Sequence, residues 1–181
     1  VVGLLSVTAL VLVYAARRTE KSGDKTTERF FYVLDGQELP PHDQLVRDAL
    51  LFSPDSQRLA YAVAKPAEQT VAMVLDGVTG RTYDEIRLPQ FSPDGKHVLF
   101  SDRANRLAYL ALDTGKVTEV ARLAGSLGVV RPAGAWSPDG AWIAYEARDA
   151  STLYDRIALF ELATARSTIV TDGFATAESP V

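Results

Sequence analysis

The residues able to do chemistry in this chain are few and widely spaced. The nearest thing to a nucleophile elbow is Ala124-Gly125-Ser126-Leu127-Gly128, with alanine where the first glycine of Gly-x-Ser-x-Gly belongs. A hydrolase built on that elbow orders its triad serine, acid, histidine, yet the only histidines, His42 and His97, both precede Ser126. Ser126 therefore reads as part of a glycine-rich loop, and no catalytic group is assigned. Two histidines so far apart have no metal-ligand spacing, and the absence of cysteine excludes disulfides, thiolate metal sites and cysteine nucleophiles together. Asp76-Gly77 and Asp84-Glu85 do not follow the calcium-loop pattern, and no phosphate-cradling or dinucleotide-binding glycine motif occurs. The expectation is a chain with no metal and no cofactor.

Three aspartates do recur in register. Asp55, Asp94 and Asp139 each stand third in a Ser-Pro-Asp turn: Ser53-Pro54-Asp55-Ser56, Ser92-Pro93-Asp94-Gly95 and Ser137-Pro138-Asp139-Gly140. A ring of carboxylates is one reading of that column. The stronger one is local hydrogen bonding, because serine, proline, aspartate and glycine each suit successive positions of a type I turn. An aromatic residue precedes each turn (Phe52, Phe91, Trp136) and a branched or aromatic strand follows, so each copy is strand, turn, strand.

Those turns must be positioned by a repeating element. The serines are 39 residues apart (53 to 92) and then 45 (92 to 137), the period of a four-stranded propeller blade. A second column agrees: the stretch from Phe30 and the stretch from Val71 align at an offset of 41, pairing Val33 with Val74, Leu34 with Leu75, Asp35 with Asp76 and Gly36 with Gly77. A third pairs the stretch from Arg106 with that from Arg156, at an offset of 50. One blade cannot bury both faces of its sheet, so the repeats must stack. Tyr83, Trp142 and Tyr154 are candidates for a binding face, although packing between blades is the stronger reading of Trp142, as of Tyr61, Phe100 and Tyr145; Tyr154, in a polar stretch, is the best surface contact.

The chain has 181 residues, 47% of them hydrophobic and 23% charged, in the range of one globular domain. A net charge of −4 leaves no basic footprint for nucleic acid. The first 16 residues carry no charge and, as a helix at about 1.5 Å per residue, would nearly cross a hydrocarbon core of about 30 Å. A transmembrane anchor over residues 1–16 is expected, with a signal-peptide core or an internal apolar strand or helix as rivals. Residues 17–29, without one apolar side chain, read as a polar linker, and residues 30–181 as the propeller. Arg17, Arg18, Lys21, Lys25 and Arg29 would favour holding that side in the cytoplasm, so orientation stays open.

With its Phe-Ser-Pro-Asp-Gly and Trp-Ser-Pro-Asp-Gly turns, the stretch from about Phe30 to Val181 resembles the TolB-like family of β-propeller repeats, a cousin of the WD-repeat type. The resemblance implies an all-β fold of four-stranded antiparallel blades, about three to four of them here, an incomplete set expected to belong to a longer chain. It also implies a place in the bacterial envelope, facing the periplasm or cell exterior, and a protein partner or envelope ligand. The function expected is a membrane-anchored, non-catalytic binding scaffold. Two rivals stand beside it: the substrate-gating propeller of a prolyl oligopeptidase-like serine peptidase with its catalytic domain beyond residue 181, and an extracytoplasmic sensor domain.

Overall fold

The structure is a computed structural model and describes residues 12–122, 134–148 and 155–171. Every regular element among them is a strand. The first sheet has three, β1 (Val13–Ser22), β2 (Lys25–Leu34) and β3 (Gln37–Glu38). The next has β4 (Gln44–Phe52), β5 (Leu59–Lys65), β6 (Thr70–Leu75) and β7 (Val78–Tyr83). A third holds β8 (Arg87–Phe91), β9 (His97–Ser101), β10 (Arg106–Ala111) and β11 (Val117–Arg122). The last holds β12 (Ala135–Trp136), β13 (Trp142–Arg148), β14 (Asp155–Glu161) and β15 (Arg166–Ile169). Each sheet is an antiparallel meander with its strands in sequence order, which is the blade pattern.

The transmembrane helix expected over residues 1–16 is overturned. Val13–Ala16 are the start of β1, and among the described residues no helix is long and apolar enough to cross a membrane. The apolar run was ambiguous because a strand inside a blade is apolar on both faces and imitates a membrane span in composition. Its true register shows in a duplicated clamp. Asp35 accepts the Leu12 amide at 2.9 Å through Oδ1 and donates its own amide to the Leu12 carbonyl at 2.9 Å. Asp76 does the same to Leu59, at 2.9 and 2.8 Å. Leu12-Val13-Tyr14 thus stands where Leu59-Ala60-Tyr61 stands in the next blade.

Residues 17–29 are likewise not a linker; they form most of a ten-pair ladder from Val13↔Leu34 to Ser22↔Lys25. Gly23, with φ of 60°, and Asp24 close it, as in a type II′ hairpin turn with glycine first. The Leu34-Asp35-Gly36-Gln37 and Leu75-Asp76-Gly77-Val78 turns put both central residues at positive φ, near 48° and 81–83°, as type I′ requires.

By contact the chain divides into two compact units, Val1–Leu50 with Arg58–Asp84, and Leu51–Gln57 with Glu85–Val181. In the first, Val13, Phe31, Val33, Tyr61, Val63, Met73 and Val74 are buried. Tyr32 meets the Tyr61 ring edge-on at 5.1 Å, so β2 of one blade packs on β5 of the next. In the second, Leu99, Leu107, Tyr109 and Val120 of one blade share a core with Ile143, Tyr145, Ala158 and Phe160 of the following one. Blade-on-blade burial is the source of stability in both units.

Candidate functional site

The three Ser-Pro-Asp turns are built to one plan. The carbonyl of Ser53, Ser92 or Ser137 accepts the amide three residues on at 2.8, 2.9 and 2.8 Å. The serine hydroxyl donates to the aspartate Oδ1 at 2.5, 2.6 and 2.5 Å. That same Oδ1 accepts the amide of Gln57, Lys96 or Ala141 at 3.0 to 3.1 Å. In the second and third copies the serine oxygen also accepts the amide of His97 or Trp142 at 2.9 Å. Burial would raise the Asp94 carboxyl, but the Ser92 hydroxyl, the Lys96 amide and the charges of His97 and Lys96 outweigh it and hold the group below its ordinary range. Asp139 is lowered by the Ser137 hydroxyl and the Ala141 amide. These carboxylates are engaged in their own turns.

The turns also stack along a rim. A Cβ on Gly95 would lie 3.7 Å from Ser53 Cβ and 3.9 Å from Pro54 Cδ, and one on Gly140 would lie 3.7 Å from Pro93 Cδ. Both are ordinary contacts, so glycine is kept there by its left-handed backbone, φ 69° and 71°, and not by lack of room.

The histidines take structural places. His97 lies edge-on to Tyr109 at 5.3 Å and 6.0 Å from the Trp136 ring, with Nδ1 4.0 Å from Asp94. His42 faces Tyr61, whose hydroxyl is 3.4 Å from Nε2. Burial lowers the His42 pKa, with Asp43 opposing and Arg29 assisting, and burial pushes the Tyr61 phenol up to about 12. Of the aromatic candidates, Tyr83 is buried and Trp142 half-buried, and Tyr61, Phe100 and Tyr145 lie in the core. Ser126 and Tyr154 lie outside the described residues. Among the described residues no group of three or more metal-ligating side chains comes together.

What sequence reading missed is a cleft of about 700 Å³ in the first unit. One side is formed by Val13, Tyr14 and Ala15 of β1 with Phe30 and Tyr32 of β2; the other is the run Asp43–Asp48 with Leu50, almost all of it β4. Leu45, Val46, Phe30 and Tyr32 give it a half-buried apolar wall, and Asp43, Gln44, Arg47 and Asp48 an exposed polar rim. Asp48 holds φ of 57°, a left-handed conformation inside a strand. Burial, and then the charge of Asp48, raise the Tyr32 phenol. Tyr32 is therefore a neutral hydrogen-bonding group at neutral pH, set beside a carboxylate. Such a cleft suits an apolar side chain carrying or flanked by polar groups. Its lining comes from three stretches of chain, so no spacing motif marks it.

No known protein-family model matches the sequence, and no curated protein does either. Solved structures do. The tricorn protease superposes with a TM-score of 0.58 at 14% identity, covering 94% of this chain and 18% of its own. The β-propeller domain of the Trilobed protease from Pyrococcus furiosus, described as having an open velcro topology, gives 0.55 at 11% identity and covers 89% of this chain and 54% of its own. Oligogalacturonate lyase in complex with manganese gives 0.54 at 12% identity over 72% of this chain and 40% of its own. The chain spans less than two thirds of each of these. Likeness at such identities shows the fold, and the fold is that of β-propeller repeats.

Proposed function

We propose that this chain is a non-catalytic propeller module of TolB-like type that binds a polypeptide partner through the cleft lined by β1, β2 and β4. The observation that carries the reading is the cleft itself: about 700 Å³, apolar on its walls, charged on its rim, and bordered by a strained aspartate. The three Ser-Pro-Asp turns support the TolB-like part, and their aspartates are bound up in local hydrogen bonds, which leaves the cleft as the place for a ligand. The envelope setting that goes with TolB-like repeats belongs to this proposal, without a helical anchor over residues 1–16.

The test is a panel of capped tetrapeptides that varies one residue through the twenty types, titrated into the labelled protein by amide chemical-shift mapping. Members with an aromatic or branched residue are expected to shift the amides of Tyr32, Leu45, Val46 and Asp48, and Val46→Arg to abolish those shifts while the rest of the spectrum stays. A panel that moves none of these amides sinks the cleft. Hydrolysis of the peptides by the purified chain sinks the non-catalytic reading.

A further inference from the structure

Asp48 is a carboxylate with a fixed backbone and no partner. Its φ of 57° is left-handed, a conformation that aspartate is one of the few side chains with a Cβ to tolerate, and it stands within β4, not in a turn. Strain of that kind persists where the surroundings hold it, and it gathers at ligand clamps. Among the described residues the Asp48 carboxylate makes no hydrogen bond and no ion pair. The other acid of the cleft rim, Asp43, is taken by Arg29.

The rest of the cleft suits a cation on an apolar stem. Phe30 and Tyr32, two apart in β2, present their rings on one face, and both line the cleft with Asp48. The Tyr32 phenol is raised first by burial and then by the Asp48 charge, so the field of that carboxylate reaches the aromatic wall. The Tyr32 hydroxyl has no hydrogen bond among the described residues. A carboxylate, a neutral phenol oxygen and the negative faces of two rings all favour positive charge. Leu45 and Val46, half-buried beside them, favour hydrocarbon. Lysine and arginine combine the two, a long apolar stem with a charged head. About 700 Å³ holds more than one side chain, so an apolar residue and a basic neighbour fit together.

Arg47 is the other unpaired charge on the rim among the described residues. It offers an anion a poorer seat. Its backbone is ordinary strand, and its long side chain must give up rotamer freedom to hold a ligand, whereas Asp48 is short and already held.

Resting on the reading of the cleft as a peptide site, we propose that its occupant carries a lysine or arginine next to its apolar residue. The stem lies on Phe30, Tyr32, Leu45 and Val46, and Asp48 takes the head.

The probes are the capped tetrapeptides Ac-Ala-Phe-X-Ala-amide with X lysine, norleucine or glutamate, titrated into the labelled protein by amide chemical shift. Norleucine has most of the lysine stem without the charge, so its binding reports the cleft, and the preference for lysine over norleucine reports this proposal. A preference of about threefold to tenfold is expected at about 0.05 M salt, shrinking at about 0.5 M. Asp48→Asn, which tolerates the same left-handed backbone, is expected to bring the ratio to about one and leave norleucine binding unchanged. Equal affinities for lysine and norleucine, or a preference that survives Asp48→Asn, overturns the proposal while the norleucine titration still supports the cleft. Glutamate binding tighter than norleucine, with the gain lost in Arg47→Gln, overturns it in favour of an acidic occupant. If neither the lysine nor the norleucine peptide moves the amides of Tyr32, Leu45, Val46 and Asp48, the cleft reading fails and this proposal with it.

Discussion

Ser56, Gly95 and Gly140 occupy equivalent places in the three Ser-Pro-Asp turns and all hold a left-handed backbone, with φ of 59°, 69° and 71°. The sequence shows why two are glycine, since the fourth residue of the turn is the natural place for it; that serine adopts the same conformation shows the turn overriding the residue. Left-handed backbone costs a residue with a Cβ roughly 1–2 kcal/mol, and a β-branched one more. Because a Cβ at Gly95 would make only ordinary contacts, with Ser53 and Pro54, Gly95→Val should lower stability by at least about 1 kcal/mol, chiefly through backbone strain, with Gly95→Asn costing less. Urea unfolding midpoints decide it, and a neutral valine variant would mean the turn is not held left-handed in solution. His42 sets a pH dependence. Burial depresses its folded pKa below the ordinary value of about 6.5, so the unfolded chain binds the proton more tightly. Stability from this group is whole above about pH 6.5 and lost as pH falls through the folded pKa. The drop in unfolding free energy between about pH 7.5 and 5.5 should shrink in His42→Phe; an undiminished drop places its origin elsewhere.

At the scale of elements, the repeated turns were legible because each is written in residues that only one backbone tolerates well: Asp35-Gly36, Asp76-Gly77 and Ser-Pro-Asp-Gly. The first strand was not. Val13-Tyr14-Ala15-Ala16 reads as membrane span or blade strand alike, and only its pairing with Phe31–Leu34 decides between them. Residues 17–29 hid a hairpin because an exposed ribbon has no apolar alternation to betray it; Gly23-Asp24 and the threonines Thr19, Thr26 and Thr27 were the available signal. The ribbon's exposure has an energetic consequence. Replacing Arg18–Arg29 by Asn-Gly removes exposed ion pairs and the Arg18 guanidinium over Phe31, 5.3 Å from its centroid. These contacts are worth little, and the unfolding free energy should change by no more than about 1 kcal/mol. Phe31→Ala, at the buried base, should cost about 3–5 kcal/mol. A trimmed chain that fails to fold, with Phe31→Ala nearly silent, would reverse the assignment of which part of the hairpin is structural.

For the whole molecule, the blade period was plain in the sequence while the cleft was not, and one cause serves both. Repeats announce themselves along the chain, whereas a site assembled from Val13, Tyr14 and Ala15, from Phe30 and Tyr32, and from residues 43–48 with Leu50 exists only once blades are side by side. The same dependence on neighbours governs stability. In the second unit, Phe160 of β14 lies 6.2 Å from the ring of Tyr109 in β10, and Ile143, fully buried, shares a cluster with Leu99 and Leu107. A blade's buried face is completed by the next blade, so stability is a sum of blade terms and interface terms. Phe160→Ala should therefore cost about 3–5 kcal/mol and loosen more than its own sheet. Hydrogen exchange followed by mass spectrometry is expected to show faster exchange in β9 and β10 as well as in β13 and β14. Faster exchange confined to β13 and β14 would mean that the blade contacts add little energy, and that each sheet of this unit is held by its own strands.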